Sequence, residues 1–443
     1  MRATNSARPQ CEKRRRGRVR HLCVLASAAI LADAAAASIF DHPDTGECKI
    51  DPSAARRVEL ASEAADLLPR SSFYDTPEPL QKGRPGDLIR SQPARDLLLP
   101  PGTTAVRILY QSRSPQGGIV PASAVVLLPA GQPPTSGWPV IAWAHGTTGV
   151  ARPCAPSLMR DVAYGWIELS TLVDMGYAVV AADYQGLGTA TPHPYLDKVT
   201  NAADVIYSVP AARAAVKGLD TRWVVMGHSQ GGLTAVGVAE IEHAAKDPTY
   251  LGSISIAAAW DAEKVFDRMA HAGADPLNNG YFGLVAEGLK AIDRNFTVDR
   301  MLTDAAIARL NEVRTHCVAA TIAFMFDLPR ESILKPNWKQ DPAVQEFFRR
   351  DRVTGPIAGP MLVLASTDDE SIPASTVDDN IARLCATGAR LQYIRYSGVG
   401  LDHDGIERAT MGMRLRWIRD RFSGVSAPSN CGATDFSGKP ANN

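Results

Sequence analysis

Ser229 lies between two glycines in the run Gly227-His228-Ser229-Gln230-Gly231. A serine hydroxyl is a poor nucleophile at neutral pH. It attacks an acyl carbon only when an imidazole takes its proton and a carboxylate holds that imidazole. The setting suits this chemistry. An apolar run, "RWVVMG", precedes the serine and a helix-compatible run, beginning at Gly231, follows it. A sharp strand-to-helix turn strains the serine backbone and needs small neighbours, which Gly227 and Gly231 supply. The helix start then points N–H groups at the place where an oxyanion would develop.

In enzymes that carry this motif the acid and the base follow the serine in that order. "LVLASTDDESIP" places two carboxylates just beyond an apolar strand, and Asp369, four residues before Pro373, is the preferred acid; Asp368 is the runner-up. "YSGVGLDHDGIERA" places His403 between the last strand-like run and the last helix-like run. The chain has nine histidines, and of these His403 has the required position. His228 adjoins the serine but is expected to point elsewhere, because neighbouring side chains diverge at a tight turn. Two backbone N–H groups are needed for the oxyanion. Gln230, the residue after the nucleophile, supplies one, and the loop after "VIAWA" supplies the other, with Thr147 preferred and Thr148 second.

The elements that must position these residues form an alternation. Continuous Val/Ile/Ala runs at "WPVIAWAHG", "YAVVAADYQG", "RWVVMG" and "GPMLVLAS" alternate with helical stretches. That pattern predicts an α/β fold, with a mostly parallel central sheet covered on both faces by helices. Two earlier runs, "TTAVRILYQS" and "SAVVLLPA", read as strands joined by a glycine-containing turn. The residues before them, 38–100, read as a loop-rich arm with one helix at Ala54–Leu68. Pro210 is expected to kink or break the helix around it. The alternation stops after Trp260. Residues 261–354 carry apolar helical faces and no strand run, which predicts a helical cap inserted into a core of residues 101–260 and 355–423. The tail, 424–443, is polar.

The whole chain of 443 residues has no net formal charge, with 45% hydrophobic and 21% charged residues. The first 37 residues hold eight Lys and Arg against Glu12 and Asp33, leaving 39 basic and 45 acidic residues elsewhere. No basic stripe remains to bind nucleic acid. "KRRRGRVRH", the short apolar "LCVLASAAIL" and the small residues of "ADAAAAS" together predict a signal peptide over 1–37, cleaved near residues 34–37, and hence a secreted or periplasmic protein. No other run is long and apolar enough for a transmembrane helix. Cys11 and Cys23 would leave with the signal, and five cysteines would remain. No H-E-x-x-H and no cysteine cluster with zinc spacing occurs, so neither a metal nor an organic cofactor is expected for catalysis.

Taken together, "PGDLIRSQP", "VIAWAHGTTG", "CAPS", "AADYQGLG", "GHSQGG", "TDDESIP" and "DHDG" make the chain resemble the secretory lipase family, the lipase A-like branch of the α/β-hydrolases, over residues 50–422. The resemblance implies a carboxylester hydrolase of lipase or esterase type, acting on lipid or small-molecule esters, with transient contact at a lipid interface. It also implies a helical lid forming an acyl pocket. It would pair Cys154 with Cys317 and Cys385 with Cys431, leaving Cys48 single. A peptidase, amidase or thioesterase would use the same triad on the same fold. A binding protein that has lost catalysis is the rival from a different class, and an intact serine, acid and base argue against it.

Overall fold

A computed structural model describes residues 51–438 apart from 77–79, 81, 164 and 272. The predicted signal peptide and Cys48 lie outside the described residues. Nine strands form one sheet: β1 Leu88–Pro93, β2 Thr104–Arg113, β3 Ile119–Leu128, β4 Trp138–Ala144, β5 Ala178–Ala182, β6 Leu219–His228, β7 Tyr250–Ile256, β8 Pro360–Ser366 and β9 Arg390–Tyr396. Their spatial order is β1-β2-β3-β5-β4-β6-β7-β8-β9. The first three pairings, β1-β2, β2-β3 and β3-β5, are antiparallel, and every pairing from β5 through β9 is parallel. β4 and β5 are buried along almost their whole length, as continuous apolar strands with both faces covered must be.

The helices follow in chain order. α1 is Pro52–Asp66, α2 Trp166–Asp174, α3 Lys198–Ala215 and α4 Gln230–Ala245. Between β7 and β8 come α5 Ala262–Ala270, α6 Asn279–Ile292, α7 Asp304–Ile307, α8 Leu310–Thr315, α9 Val318–Met325 and α10 Pro342–Asp351. The chain closes with α11 Ser375–Ala386 and α12 Gly405–Phe422. The segment from α5 to α10 has an apolar core of its own. Phe266 meets Phe282 and Phe347 edge-on, and Phe282 meets Trp338. This layer is fastened to the sheet at several points. Cys154 is disulfide-bonded to Cys317, and the Arg350 guanidinium pairs with buried Asp197. A second disulfide, Cys385–Cys431, holds the tail against α11.

Two expectations need correction. Residues Leu88–Pro93 belong to the sheet: they pair with β2 as its edge strand. The dense Pro and Gly around them hide the strand, and Pro93 is tolerated because an edge strand can end on a residue with no N–H. Of the kink or break expected at Pro210, the break does not occur, since α3 continues to Ala215. Its ring packs in the hollow over Gly86, where a Cβ would come within 2.8 Å of Pro210 Cγ. Tertiary packing here outweighs the local cost of proline.

α1 also carries an unbalanced charge. Glu59 is only 2% exposed and its Oε2 has no hydrogen-bond partner. Burial, and then Glu63 one turn on, push its carboxyl from 4.5 up to about 7. A carboxyl whose pKa is higher in the folded state favours folding below the unfolded value and loses that contribution as pH rises through the folded one. Glu59→Gln is therefore expected to raise stability at pH 8 by about 2–3 kcal/mol and to give no gain below pH 4.5. Urea melts at the two pH values check this; an equal effect at both would refute the buried-charge explanation.

Candidate active site

β6 ends at His228 and α4 begins at Gln230, so a single residue makes the turn. That residue is Ser229, at φ 56° and ψ −120°. A non-glycine residue with positive φ costs on the order of 1–3 kcal/mol and persists only where its surroundings enforce it. The surroundings here leave no space for side chains. A Cβ on Gly231 would lie 1.8 Å from the Ala144 carbonyl oxygen, and one on Gly227 would lie 2.3 Å from the Gly231 oxygen. The two glycines let the turn press against the end of β4 and lift the Ser229 side chain above the sheet.

Three side chains from three loops meet there. His403 Nε2 lies 2.9 Å from Ser229 Oγ, and His403 Nδ1 lies 2.8 Å from Asp369 Oδ2. Asp369 sits just past β8 and is 2% exposed. Its other oxygen accepts the N–H groups of Ser371 and Ile372, at 2.9 and 2.7 Å, which hold the carboxylate aimed at the imidazole. Asp368 is exposed and is used differently: it accepts the Gly398 N–H at 2.8 Å and ties two loops together. The carboxylate reaching His403 is thus that of Asp369.

Burial alone would lower the His403 pKa. The Asp369 carboxylate beside it, their hydrogen bond, and the charges of Asp404 and Glu407 outweigh that and lift it to about 9. These charges favour the imidazolium, the form that appears when a serine proton is taken.

Thr147 and Thr148 line the cleft, and Gln230 follows Ser229 in the chain. Thr147 lines the cleft above Ser229, and its hydroxyl is 2.8 Å from the Tyr195 hydroxyl. Gln230 is the first residue of α4, where N–H groups have no intrahelical acceptor. Its side chain is turned inward and donates to Asn201 Oδ1 at 3.0 Å. Thr148 is bound to the helical layer, its carbonyl accepting the Val318 N–H at 2.8 Å. His145 is buried, stacks on Tyr184 at 4.1 Å and is lowered by burial to about 4, so it is a neutral structural ring.

His228 departs from expectation. It does not turn away: its ring centroid is 4.7 Å from that of His403, and its Nε2 is 2.8 Å from the His403 carbonyl oxygen. The loop carrying the imidazole returns across the turn and lies against the side chain that precedes the serine. Sequence reasoning also missed Tyr195, which holds Thr147, and Tyr281 of α6, which lines the cleft. Neither belongs to a motif, and only the packing of distant segments brings them in.

The cleft encloses about 280 Å³. Trp143, Leu277, Val318, Ile322 and Met411 form apolar parts of its wall, three of them from the helical layer, while Asp402, Asp404 and Glu407 stand on the His403 side. No helix among the described residues is long and apolar enough to cross a membrane.

Residues 158–430 match the family model described as secretory lipase. The chain belongs to the secretory lipase family. Among curated relatives, a protein of Mycobacterium tuberculosis named "Probable inactive lipase MT1628" is 24% identical over 83% of this chain and 85% of its own. The "Secreted triacylglycerol lipase LIP3" of Malassezia restricta is also 24% identical, over 82% of this chain and 84% of its own. Among solved structures, lipase A of Candida antarctica superposes with a TM-score of 0.70 at 17% identity, over 83% of this chain and 89% of that one. Such a likeness establishes the α/β-hydrolase fold, in keeping with the sheet and helices described above. By family, the protein is of lipase-type hydrolase descent.

Proposed function

We propose that the protein is an exported serine carboxylester hydrolase of lipase or esterase type, working through an acyl-enzyme on Ser229. The observation that carries the reading is the continuous row Ser229 Oγ, His403, Asp369, at 2.9 and 2.8 Å. His403 takes the Ser229 proton as Oγ attacks the ester carbonyl, and the carbonyl oxygen becomes an oxyanion held by the N–H groups of Thr147 and Gln230. The tetrahedral carbon then expels the alkoxide, which His403 protonates. Water, deprotonated by the same imidazole, attacks the acyl-serine, and collapse releases the acid and restores Ser229. Asp369 keeps the proton on Nδ1 and balances the charge of the imidazolium.

Export rests on the charged and apolar leader at 1–37, supported by two disulfides and by a family of secreted relatives. One curated relative is named inactive; the intact row in this chain supports activity here.

The test is a pair of measurements on the mature chain. A fluorophosphonate is expected to label Ser229, and p-nitrophenyl esters from acetyl to palmitoyl are expected to be hydrolysed. Each methylene buried against the apolar wall is worth at most ~0.8 kcal/mol, or about fourfold in kcat/KM, so the rate is expected to rise from acetyl to longer acyl groups. Labelling without ester hydrolysis would shift the reading to a thioesterase or peptidase. Absence of labelling in the folded protein would remove the catalytic reading.

A further inference from the structure

The proposed mechanism employs His403 and leaves His228 without a task, although the two rings lie side by side. Their hydrogen bonds orient both rings. A backbone carbonyl only accepts, so His228 Nε2, facing the His403 carbonyl at 2.8 Å, is the donor, and Nδ1 is the nitrogen left to bind a cation. His403 Nδ1 faces Asp369, so when the ring is neutral its Nε2 presents the lone pair toward Ser229. A third donor stands beside them. Asp404 occupies the N-cap position of α12, yet its carboxylate makes no capping bond to the helix. One donor atom from each of His228, His403 and Asp404 lies within 4.8 Å of the other two.

Two imidazole nitrogens and one carboxylate are a zinc-type donor set. At Zn–N and Zn–O distances of roughly 2.0–2.1 Å, tetrahedral ligand atoms stand about 3.3–3.4 Å apart. The same wall carries the carboxylates of Asp402 and Glu407 and the guanidinium of Arg408, so acidic groups outnumber basic ones on this side of the cleft. Three protein ligands would leave a fourth position open, on the side of the cleft.

We propose that His228, His403 and Asp404 form a binding site for zinc that reversibly switches the enzyme off. The metal takes the Nε2 lone pair of His403, which then cannot accept the Ser229 proton. Hard cations with all-oxygen preference, such as magnesium, do not compete for this pair of nitrogens. The inhibitory consequence rests on the hydrolase reading above; the binding itself does not.

The experiment has two arms, both on chelator-stripped mature chain at pH 8. In the first, p-nitrophenyl ester hydrolysis is followed while zinc sulfate or magnesium chloride is added. Micromolar zinc is expected to suppress turnover, EDTA to restore it, and millimolar magnesium to leave it unchanged. Asp404→Asn is expected to raise the half-inhibiting zinc concentration about tenfold. In the second, the Ser229→Ala protein, which keeps all three ligands, competes with a chromogenic chelator for zinc. One equivalent is expected to bind, and adding His228→Ala to abolish it. An active enzyme that ignores zinc, responds equally to magnesium, or is inhibited equally after Asp404→Asn would overturn the proposal. A protein without ester activity that binds one zinc through His228 would sink the hydrolase reading and leave the metal site standing.

Discussion

Ser229→Ala is expected to lower kcat for ester hydrolysis by about 10⁵–10⁶-fold, and His403→Ala by a similar factor. The reason is that the two groups act as one unit. Without Oγ there is nothing to acylate, and without the imidazole the hydroxyl keeps its proton. The double variant is therefore expected to be no worse than either single one, because the second loss removes a group already idle. What remains in each case is the contribution of the oxyanion donors and of substrate binding, which the substitutions leave in place. Steady-state kinetics on the three variants, with active-site titration of the parent by a phosphonate to exclude contaminating enzyme, checks this. Losses that multiply in the double variant would mean that Ser229 and His403 act in separate steps, and would contradict the hydrogen-bonded row. Stability supplies a second reading of the same residue. At φ 56° and ψ −120° a serine is strained and a glycine is not, so Ser229→Gly is expected to melt above the parent while being equally inactive. A nucleophile that is also a point of stored strain predicts that activity and stability move in opposite directions at this position.

Much of this arrangement was legible in the sequence, for a physical reason. Buried parallel strands must be continuous apolar runs, and loops at their C-terminal ends collect on one edge of the sheet. Once β6, β8 and β9 are recognised, Ser229, Asp369 and His403 fall on that edge in chain order. Helices follow Asp369 and His403, at Ser375–Ala386 and Gly405–Phe422. What escaped depends on packing between segments far apart in the chain. β1 is disguised by the prolines and glycines around it. His228 lies against His403 because a loop 175 residues away supplies the carbonyl that fixes its ring. Tyr195 reaches Thr147 from a segment whose own sequence has no catalytic character. Local pattern reports what an element is; it does not report which side chains from two elements come to share a cleft.

The adjacent aspartates 368 and 369 give the most discriminating test, because the two substitutions are chemically identical and one residue apart. Asp369→Asn is expected to lower kcat by about 10⁴-fold. The new side chain keeps an oxygen for the N–H groups of Ser371 and Ile372, which now reach Asp369 Oδ1, so the loop has no reason to collapse. Its amide NH₂ is then left facing His403 Nδ1. An NH₂ donates, so Nδ1 must accept, the ring proton moves to Nε2, and Ser229 Oγ meets a donor where it needs an acceptor. The nucleophile keeps its place and loses its base. Asp368→Asn is expected to change kcat by no more than a few fold. Its carboxylate is exposed and accepts a backbone N–H from Gly398, a bond that an asparagine oxygen can also make. Parallel kinetics on the two variants, with circular dichroism to show that both fold, decides between the residues. A large loss at Asp368 with little at Asp369 would mean that the loop after β8 rearranges when substrate binds and exchanges one carboxylate for the other. Comparable large losses at both would mean that position 368 orders the loop carrying Asp369, a role that a Gly398 substitution would then reproduce.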